Sequence, residues 1–347
     1  MKKLNIVYAN TIDYDHSLQQ RPQHIMNELA KRGHKIFWVN QTKKSDKFRT
    51  VINENLTVYH TWDKFANKFK GQIDVYFASW SHRWVDIEAL QPKYVLYDSL
   101  DLFPQNESEE KNMVDKADII LTTANGIYNY HKKHTDKPIH MCENGCFDKY
   151  RGMDFKVPNE IQQLRENNLP VLLFSGALAL NPQMGWVDIE LIRAITSRYY
   201  IVCVGGFWGV DDKFKKDNKS IMDKIIFCGA KPYDELQAYY AHCDVNLLPF
   251  RRCQTSDYSF PLKTIEGCNH GKICVSSNIP VSTELNEEFG DAVMISSSIN
   301  GYIKNIDKAL QLKNNNELKQ QCYNLAEKHT WDKKVDIIEN ALSKFSQ

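Results

Sequence analysis

Short apolar runs rich in β-branched and aromatic residues alternate along this chain with stretches of helical period. That is the pattern of parallel sheets covered by helices. In the first half, residues 4–9, 35–39, 56–60, 73–78, 94–97, 119–122 and 139–141 read as strands, and 22–31, 83–90, 107–115 and 124–133 as helices. The first of these helices puts Ile25, Met26, Leu29 and Ala30 on one face, with Pro22 near its start and Gly33 after its end. The periodicity lapses over 143–158, which reads as a hinge. Beyond it, strands are expected at 171–175, 200–204, 225–228, 245–248, 273–276 and 292–295. Helices are expected at 159–166, 185–195, 233–241, 261–270, 301–312, 316–329 and 331–345. Trp331, Val335, Ile338, Leu342 and Phe345 give the last helix an apolar stripe.

The 347 residues exceed one ordinary core, so two α/β domains are expected, 1–150 (with 331–347 added back) and 151–330. Composition, 42% apolar and 25% charged, is that of a globular protein with a sizeable core. A net charge of +1 argues against nucleic acid as a partner. The charge is uneven: residues 31–70 hold ten Lys/Arg against three Asp/Glu. There Lys43, Lys44, Lys47, Arg49, Lys64, Lys68 and Lys70 interleave with Phe48, Phe65 and Phe69. Such a patch suits either a peripheral contact with an anionic membrane surface or an ordinary solvated face. Nine scattered cysteines without a CxxC pair, and an apolar start too short for a signal sequence, point to a reduced cytoplasmic protein. Cys142 and Cys146 have no further pair to complete a metal site.

Chemistry concentrates in Ser259-Phe260-Pro261-Leu262-Lys263-Thr264-Ile265-Glu266. A Pro-started helix offers unpaired N–H groups to an anion. Lys263 adds a point charge, and Glu266, one turn along, can accept from two adjacent hydroxyls. A nucleotide sugar carries both features. Arg251 and Arg252, after the strand at 245–248, suit phosphate oxygens or a surface role equally. Gly176, after the strand at 171–175, lets backbone approach a ligand, whereas the Gly205-Gly206-x2-Gly209 turn lacks dinucleotide-fingerprint spacing. In the first half, the polar loop from Asp13 to Ser17 and the pair Arg21 and His24 follow strand one. Asp98 and Asp101 follow another strand, where one could act as a general base, and Trp80 and His82 suit sugar stacking. No Ser/His/Asp spacing, P-loop or zinc motif occurs.

Several segments carry a family resemblance by their order and spacing. They are Arg21-Pro22-Gln23-His24, Tyr97-Asp98-x2-Asp101, Glu143-Asn144-Gly145-Cys146, Asp244-Val245-x-Leu247-Leu248-Pro249, Pro261-Leu262-Lys263-x2-Glu266 with Gly271-Lys272, and His329-Thr330-Trp331. Together they resemble GT-B glycosyltransferases of the family 4 kind, especially those building bacterial teichuronic-acid, capsular and other surface polysaccharides. The resemblance spans nearly the whole chain. It implies two Rossmann-like doubly wound domains facing across a cleft, with the last helix crossing back to the first. Glu266 would bind ribose, and Lys263 with Arg251 or Arg252 the diphosphate. Gly176 would lie near the phosphates and Gly229 near the base, with Tyr258, Ser259, Pro261 and Leu262 beside them. Arg21, Trp80 and His82 would serve the acceptor, and His24, Asp98 or Asp101 the chemistry, Asp101 being preferred over Asp98 as base.

No cofactor or metal is implied, because Lys, Arg and the helix end neutralise the leaving diphosphate. The family usually has a Glu eight residues before the ribose-binding one, and here that place holds Tyr258. The stereochemical outcome is therefore open. The expected activity is metal-independent transfer of a hexosyl residue from a nucleotide sugar, UDP-linked by expectation, to a glycan or lipid-linked acceptor at the inner face of the plasma membrane. The alternatives are a non-catalytic sugar-nucleotide-binding or scaffold subunit and a nucleotide-sugar epimerase.

Overall fold

The computed structural model describes residues 2–16, 19–180, 185–208 and 210–344; Ser17, Gly209 and Phe345, singled out above, lie outside them. The chain divides into two compact units. One takes Met1–Asn144, Tyr258–Phe260 and Trp331–Gln347, the other Gly145–Asp257 and Pro261–Thr330.

The first unit runs β1 (Asn5–Tyr8), α1 (Arg21–Lys31), β2 (Lys35–Val39), β3 (Arg49–Val51), β4 (Leu56–Tyr59), α2 (Trp62–Phe69) and β5 (Val75–Ala78). It continues with α3 (Asp86–Leu90), β6 (Tyr94–Ser99), α4 (Glu107–Lys116), β7 (Ile119–Thr122), α5 (Asn125–His134) and β8 (Ile139–Met141). Its sheet has the order β3-β4-β2-β1-β5-β6-β7-β8, parallel except for the antiparallel edge strand β3. Strands covered on both faces bury every side chain, which explains the unbroken apolar runs at Val75–Ala78 and Ile119–Thr122. The helix expected over 83–90 is divided, a 3₁₀ turn at Ser81–Val85 leading into α3.

The second unit runs α6 (Asn159–Glu166), β9 (Leu172–Ser175), β10 (Leu178–Ala179), α7 (Ile189–Thr196), β11 (Ile201–Val204), β12 (Phe207–Trp208), α8 (Asp212–Asp217), α9 (Lys219–Met222) and β13 (Ile225–Phe227). It then has α10 (Tyr233–His242), β14 (Val245–Leu248), α11 (Gln254–Asp257), α12 (Leu262–Asn269), β15 (Cys274–Ser277), α13 (Pro280–Phe289), β16 (Val293–Ser296), α14 (Ile299–Leu312) and α15 (Asn316–Lys328). Its parallel sheet has the order β13-β11-β9-β14-β15-β16. The order reverses between β9 and β14, so the ligand crevice of this doubly wound sheet lies beyond the carboxyl ends of those two strands. Helix α7 starts at Ile189 rather than 185 because Asp188 Oδ1 accepts from the N–H groups of Glu190 and Leu191 and caps it there.

The last helix, α16 (Trp331–Ser343), returns to the first unit. It buries Trp331, Val335, Ile338 and Leu342. Each such side chain contributes about 1.5–3 kcal/mol of transfer free energy, an upper value before entropy is subtracted. Arg32, at the end of α1, fans over Asp332, Asp336 and Glu339 of α16. Lys334 is buried and donates to Glu143 at 2.8 Å.

The basic patch differs from its expected form. Helix α2 has apolar residues at Trp62, Phe65, Ala66 and Phe69, and Phe65 is fully buried. Phe48 and Phe69 pack against the same core, so the phenylalanines face inward while the lysines and Arg49 face solvent.

Three further sequence assignments change. Arg21 and Asp98 form a bidentate pair at 2.9 and 2.8 Å, 3% and 0% exposed, with Arg21 also donating to the Glu143 carbonyl at 2.8 Å. A charge pair sealed in this way ties α1 to β6 and has no surface to offer an acceptor or a proton. His24 is 2% exposed with its ring 5.1 Å from that of Trp331, a packing residue for α16. Removing one partner of a buried ion pair strands the other. Arg21→Met is therefore expected to cost about 3–5 kcal/mol in denaturant unfolding, and adding Asp98→Leu to recover most of it. Equal stability of the single variant and the wild type would contradict the structural role.

Candidate donor-binding site

The glycines of the second unit come first, because backbone closeness sets the site. Gly176 N donates to the Val204 carbonyl at 2.8 Å and Gly205 N to the Gly229 carbonyl at 2.9 Å, stitching together the loops after β9, β11 and β13. At Gly205 a Cβ would lie 2.0 Å from the Gly176 oxygen, so no side chain fits. Gly176 has φ +109°, and a Cβ there would meet Lys263 Nζ at 3.3 Å. The Gly176 turn and the Lys263 ammonium are thus direct neighbours.

Lys263 stands in the first turn of α12, whose N-cap is Pro261. Gly267 lets this helix close on β14, since a Cβ would lie 2.5 Å from Asn246 Nδ2, and that amide donates to the Lys263 carbonyl at 2.9 Å. The ammonium lies 4.4 Å from the ring centre of Phe174 and 4.9 Å from that of Phe250. Aromatic faces attract a cation but hydrate it poorly, and burial lowers the Lys263 pKa to about 8.

One turn along the same helix, Glu266 is 3% exposed. Its Oε2 accepts from the Tyr240 hydroxyl at 3.0 Å, and that hydroxyl shares a 2.5 Å hydrogen bond with Ser175. Oε1 has no hydrogen-bond partner among the described residues, which leaves an acceptor for a ligand hydroxyl. Burial raises the Glu266 pKa to about 7, opposed by hydrogen bonds from Tyr233 and Tyr240 and by Lys263. Tyr233, Gln237 and Tyr240 share one face of α10 at helical spacing, a signal present in the sequence and passed over there. Gln237 in turn meets His270 at 2.9 Å, and the His270 ring stacks on Tyr240.

The remaining donor candidates do not all join this cluster. Gly229 contributes its carbonyl to the loop stitching. Tyr258 and Ser259 group with the first unit, whereas Pro261 and Leu262 belong to the second. Arg252 pairs with Asp257 at 2.7 Å and donates to the Asn278 carbonyl at 3.0 Å. Both arginines line a separate cavity of about 210 Å³.

Within the first unit, Trp80 and Asp101 line a small cavity of about 90 Å³ with Gln20, Ser79, Phe103 and Glu110. Trp80 is 42% exposed and stacks on Phe103 at 6.1 Å, with His82 edge-on at 5.6 Å. Asp101 keeps solvent contact, while the protein crowding around it raises its pKa to about 6 by desolvation. Glu110 was not anticipated. It accepts from Tyr97 at 2.8 Å, and burial raises its pKa to about 7. Its signature is an acid on the buried stripe of α4 beside Met113 and Val114.

Burial brings the pKa of Glu266 up to about 7 and that of Lys263 down to about 8, and a hydroxyl acceptor and a phosphate partner are needed together. Binding of a ligand that brings adjacent hydroxyls and a diphosphate, with a UDP-sugar as the probe because its phosphate ionisations lie outside this range, is expected to be tightest between about pH 7 and 8. Below that window it weakens by up to about 10-fold per pH unit as Glu266 takes a proton, and above it as Lys263 loses one. Calorimetric titrations across pH 5.5–9.5 (roughly the span of both groups) check this. Glu266→Gln should flatten the acid limb and Lys263→Gln the alkaline limb.

Residues 169–311 match the family model described as "Glycosyl transferases group 1". No curated protein is similar enough in sequence to match. Among solved structures, the chain is similar to sucrose-phosphate synthase from Thermosynechococcus elongatus, with a TM-score of 0.74 at 13% identity, covering 99% of each chain. It is also similar to HepE of Anabaena in complex with UDP and glucose, with a TM-score of 0.68 at 12% identity, covering 98% of this chain and 100% of that one. A third is α,α-trehalose 6-phosphate synthase from Burkholderia multivorans, with a TM-score of 0.70 at 10% identity, covering 100% and 99%. The chain therefore has the fold of the GT-B glycosyltransferases, and the segment that matches the group 1 glycosyltransferase model lies within its second unit.

Proposed function

We propose that this protein transfers a hexosyl residue from a UDP-sugar to a glycan or lipid-linked acceptor in the building of a bacterial surface polysaccharide. The observation that carries the reading is the placing of buried Glu266 and of Lys263, beside Gly176, one turn apart on α12, inside the segment that matches the glycosyltransferase model. UDP is favoured because HepE, a structural neighbour, was solved with UDP and glucose.

In this reading Glu266 accepts the ribose hydroxyls, and Lys263 with the start of α12 meets the diphosphate. As the glycosidic bond to the sugar breaks, charge develops on the departing diphosphate, where a fixed cation and helix-end N–H groups stabilise it without calling for a metal. Asp101, with its raised pKa, is assigned the proton of the acceptor hydroxyl. The exposed Trp80 with Phe103 is assigned a face of the acceptor sugar. The lysines exposed over 43–70 support a peripheral, electrostatic contact with an anionic membrane surface on the cytoplasmic side. No helix among the described residues is long and apolar enough to cross a membrane.

Tyr258, standing where the family usually has an acid, favours a second reading as a sugar-nucleotide-binding subunit without turnover. Slow release of UDP from a UDP-sugar by the purified protein separates the two. Glu266→Ala should weaken UDP-sugar binding by roughly 10- to 150-fold, since a hydrogen bond to a charged group is worth about 1.5–3 kcal/mol, and abolish the release. Tight binding with no turnover on any acceptor extract would sink the enzyme reading.

A further inference from the structure

The arginine pair after β14 opens a different question. The cavity that Arg251 and Arg252 line also has Ser277, Asn278, Ser297 and Ser298 in its wall, at the carboxyl ends of β14, β15 and β16. Its place relative to Glu266 follows from topology. The β9-α7-β11 and β14-α12-β15 crossovers move in opposite directions along one parallel sheet. Right-handed crossovers therefore put α7 and α12 on opposite faces. Helix α14 packs against α7, and the starts of α7 and α14 supply Asp188 and Ser298 to the cavity. Glu266 rides on α12, on the other face. Phe250 stands between, lining the cavity while its ring meets Lys263 at 4.9 Å.

The chemistry of the wall is that of an anion site. The Arg251 backbone is fixed on both sides, its N–H donating to the Trp186 carbonyl at 2.9 Å and its carbonyl accepting from Ser256 at 2.7 Å. That fixes the Arg251 backbone at the cavity wall. Arg252 is held only by an exposed pair with Asp257 and by the Asn278 carbonyl, and exposed pairs are cheap to rearrange. The wall includes one carboxylate, Asp188, which is occupied in capping α7. Helix α14 has 14 residues and presents its positive end here. A second, independent sign of a ligand is Ser277, 9% exposed with its Oγ lacking any partner among the described residues. Buried hydroxyls are normally satisfied, so an unsatisfied one on a cavity wall marks a missing polar partner. The volume of about 210 Å³ falls below the ~300 Å³ at which pockets for drug-sized ligands begin. It suits a small anion rather than a nucleotide.

We propose that this cavity is a phosphate site, separate from the nucleotide site, that takes inorganic phosphate or the phosphate of a small phosphomonoester. The guanidinium forks of Arg251 and Arg252 match its oxygens, and Ser277 donates its hydroxyl. The proposal goes beyond the donor reading and does not depend on it, because phosphate binding is measured without turnover.

The test is calorimetric titration of the full chain at constant ionic strength, with inorganic phosphate in one arm and glucose 1-phosphate in the other. Each arm is run with and without saturating UDP. Saturable binding below about 20 mM that persists with UDP is expected, with at least about 10-fold weakening in Arg251→Gln and no change in Lys263→Gln. Should Arg251→Gln fail to fold, Arg252→Gln, altered at an exposed side chain, takes its place. Tighter binding of glucose 1-phosphate assigns the site to a phosphomonoester, and the reverse to free phosphate. Competition by UDP, loss of binding in Lys263→Gln or absence of saturable binding would each overturn the proposal.

Discussion

The geometry of the candidate site around Lys263 and Glu266 rests on the contact between two loop backbones at Gly176 and Gly205. The Gly176 oxygen fills the space a side chain at position 205 would need. Because the loops close on each other, Lys263 Nζ sits directly beside the Gly176 turn and against the rings of Phe174 and Phe250. A second close approach, Gly267 on Asn246, brings α12 down onto β14. Glu266 is thereby buried against Tyr240. Three glycines thus do by absence what the lysine and glutamate then use: they bring charged groups into a poorly hydrated setting where electrostatic interactions are stronger.

The same low hydration explains why the two titrating groups of the site move towards neutrality. A buried ammonium loses protons more readily and a buried carboxylate keeps them longer. A phosphate and a hydroxyl pair entering the site would favour the charged form of each. The first unit uses the same physics differently on the two faces of β6. Asp98 is met on one face by Arg21 and stays a sealed ion pair. Tyr97 and Ser99 project from the other face, both towards Glu110, whose pKa burial raises to about 7. Full pairing makes Asp98 a structural residue, whereas Asp101, two positions beyond the strand, keeps its solvent contact.

Much of this was legible in the chain. The strands Lys35–Val39, Ile119–Thr122 and Val245–Leu248 and the helix Asn159–Glu166 fall where the periodicity put them. Strands buried on both faces and amphipathic helices write their environment into neighbouring residues. Several of the elements passed over have a short or masked pattern, although the ten-residue, Pro-started α13 was passed over too. Edge strand β3 is three exposed residues, and β10 and β12 are two-residue strands that exist only by pairing with each other. Helix α2 was hidden by its lysines, although Trp62, Phe65, Ala66 and Phe69 carry a helical period.

The sequence by itself determined the two-unit α/β architecture and the placing of Lys263 and Glu266 one turn apart on a Pro-started helix, because both follow from local spacing. Only the tertiary structure decided that Asp98 answers Arg21 across 77 residues of chain. It likewise decided that Glu266 leans on Tyr240, that Phe48, Phe65 and Phe69 turn inward, and that Arg251 and Arg252 face a cavity on the other side of the sheet from Glu266. The physical reason is that a side chain's partner and hydration are set by residues far along the chain. Local pattern fixes the face on which a group stands but not what it meets there.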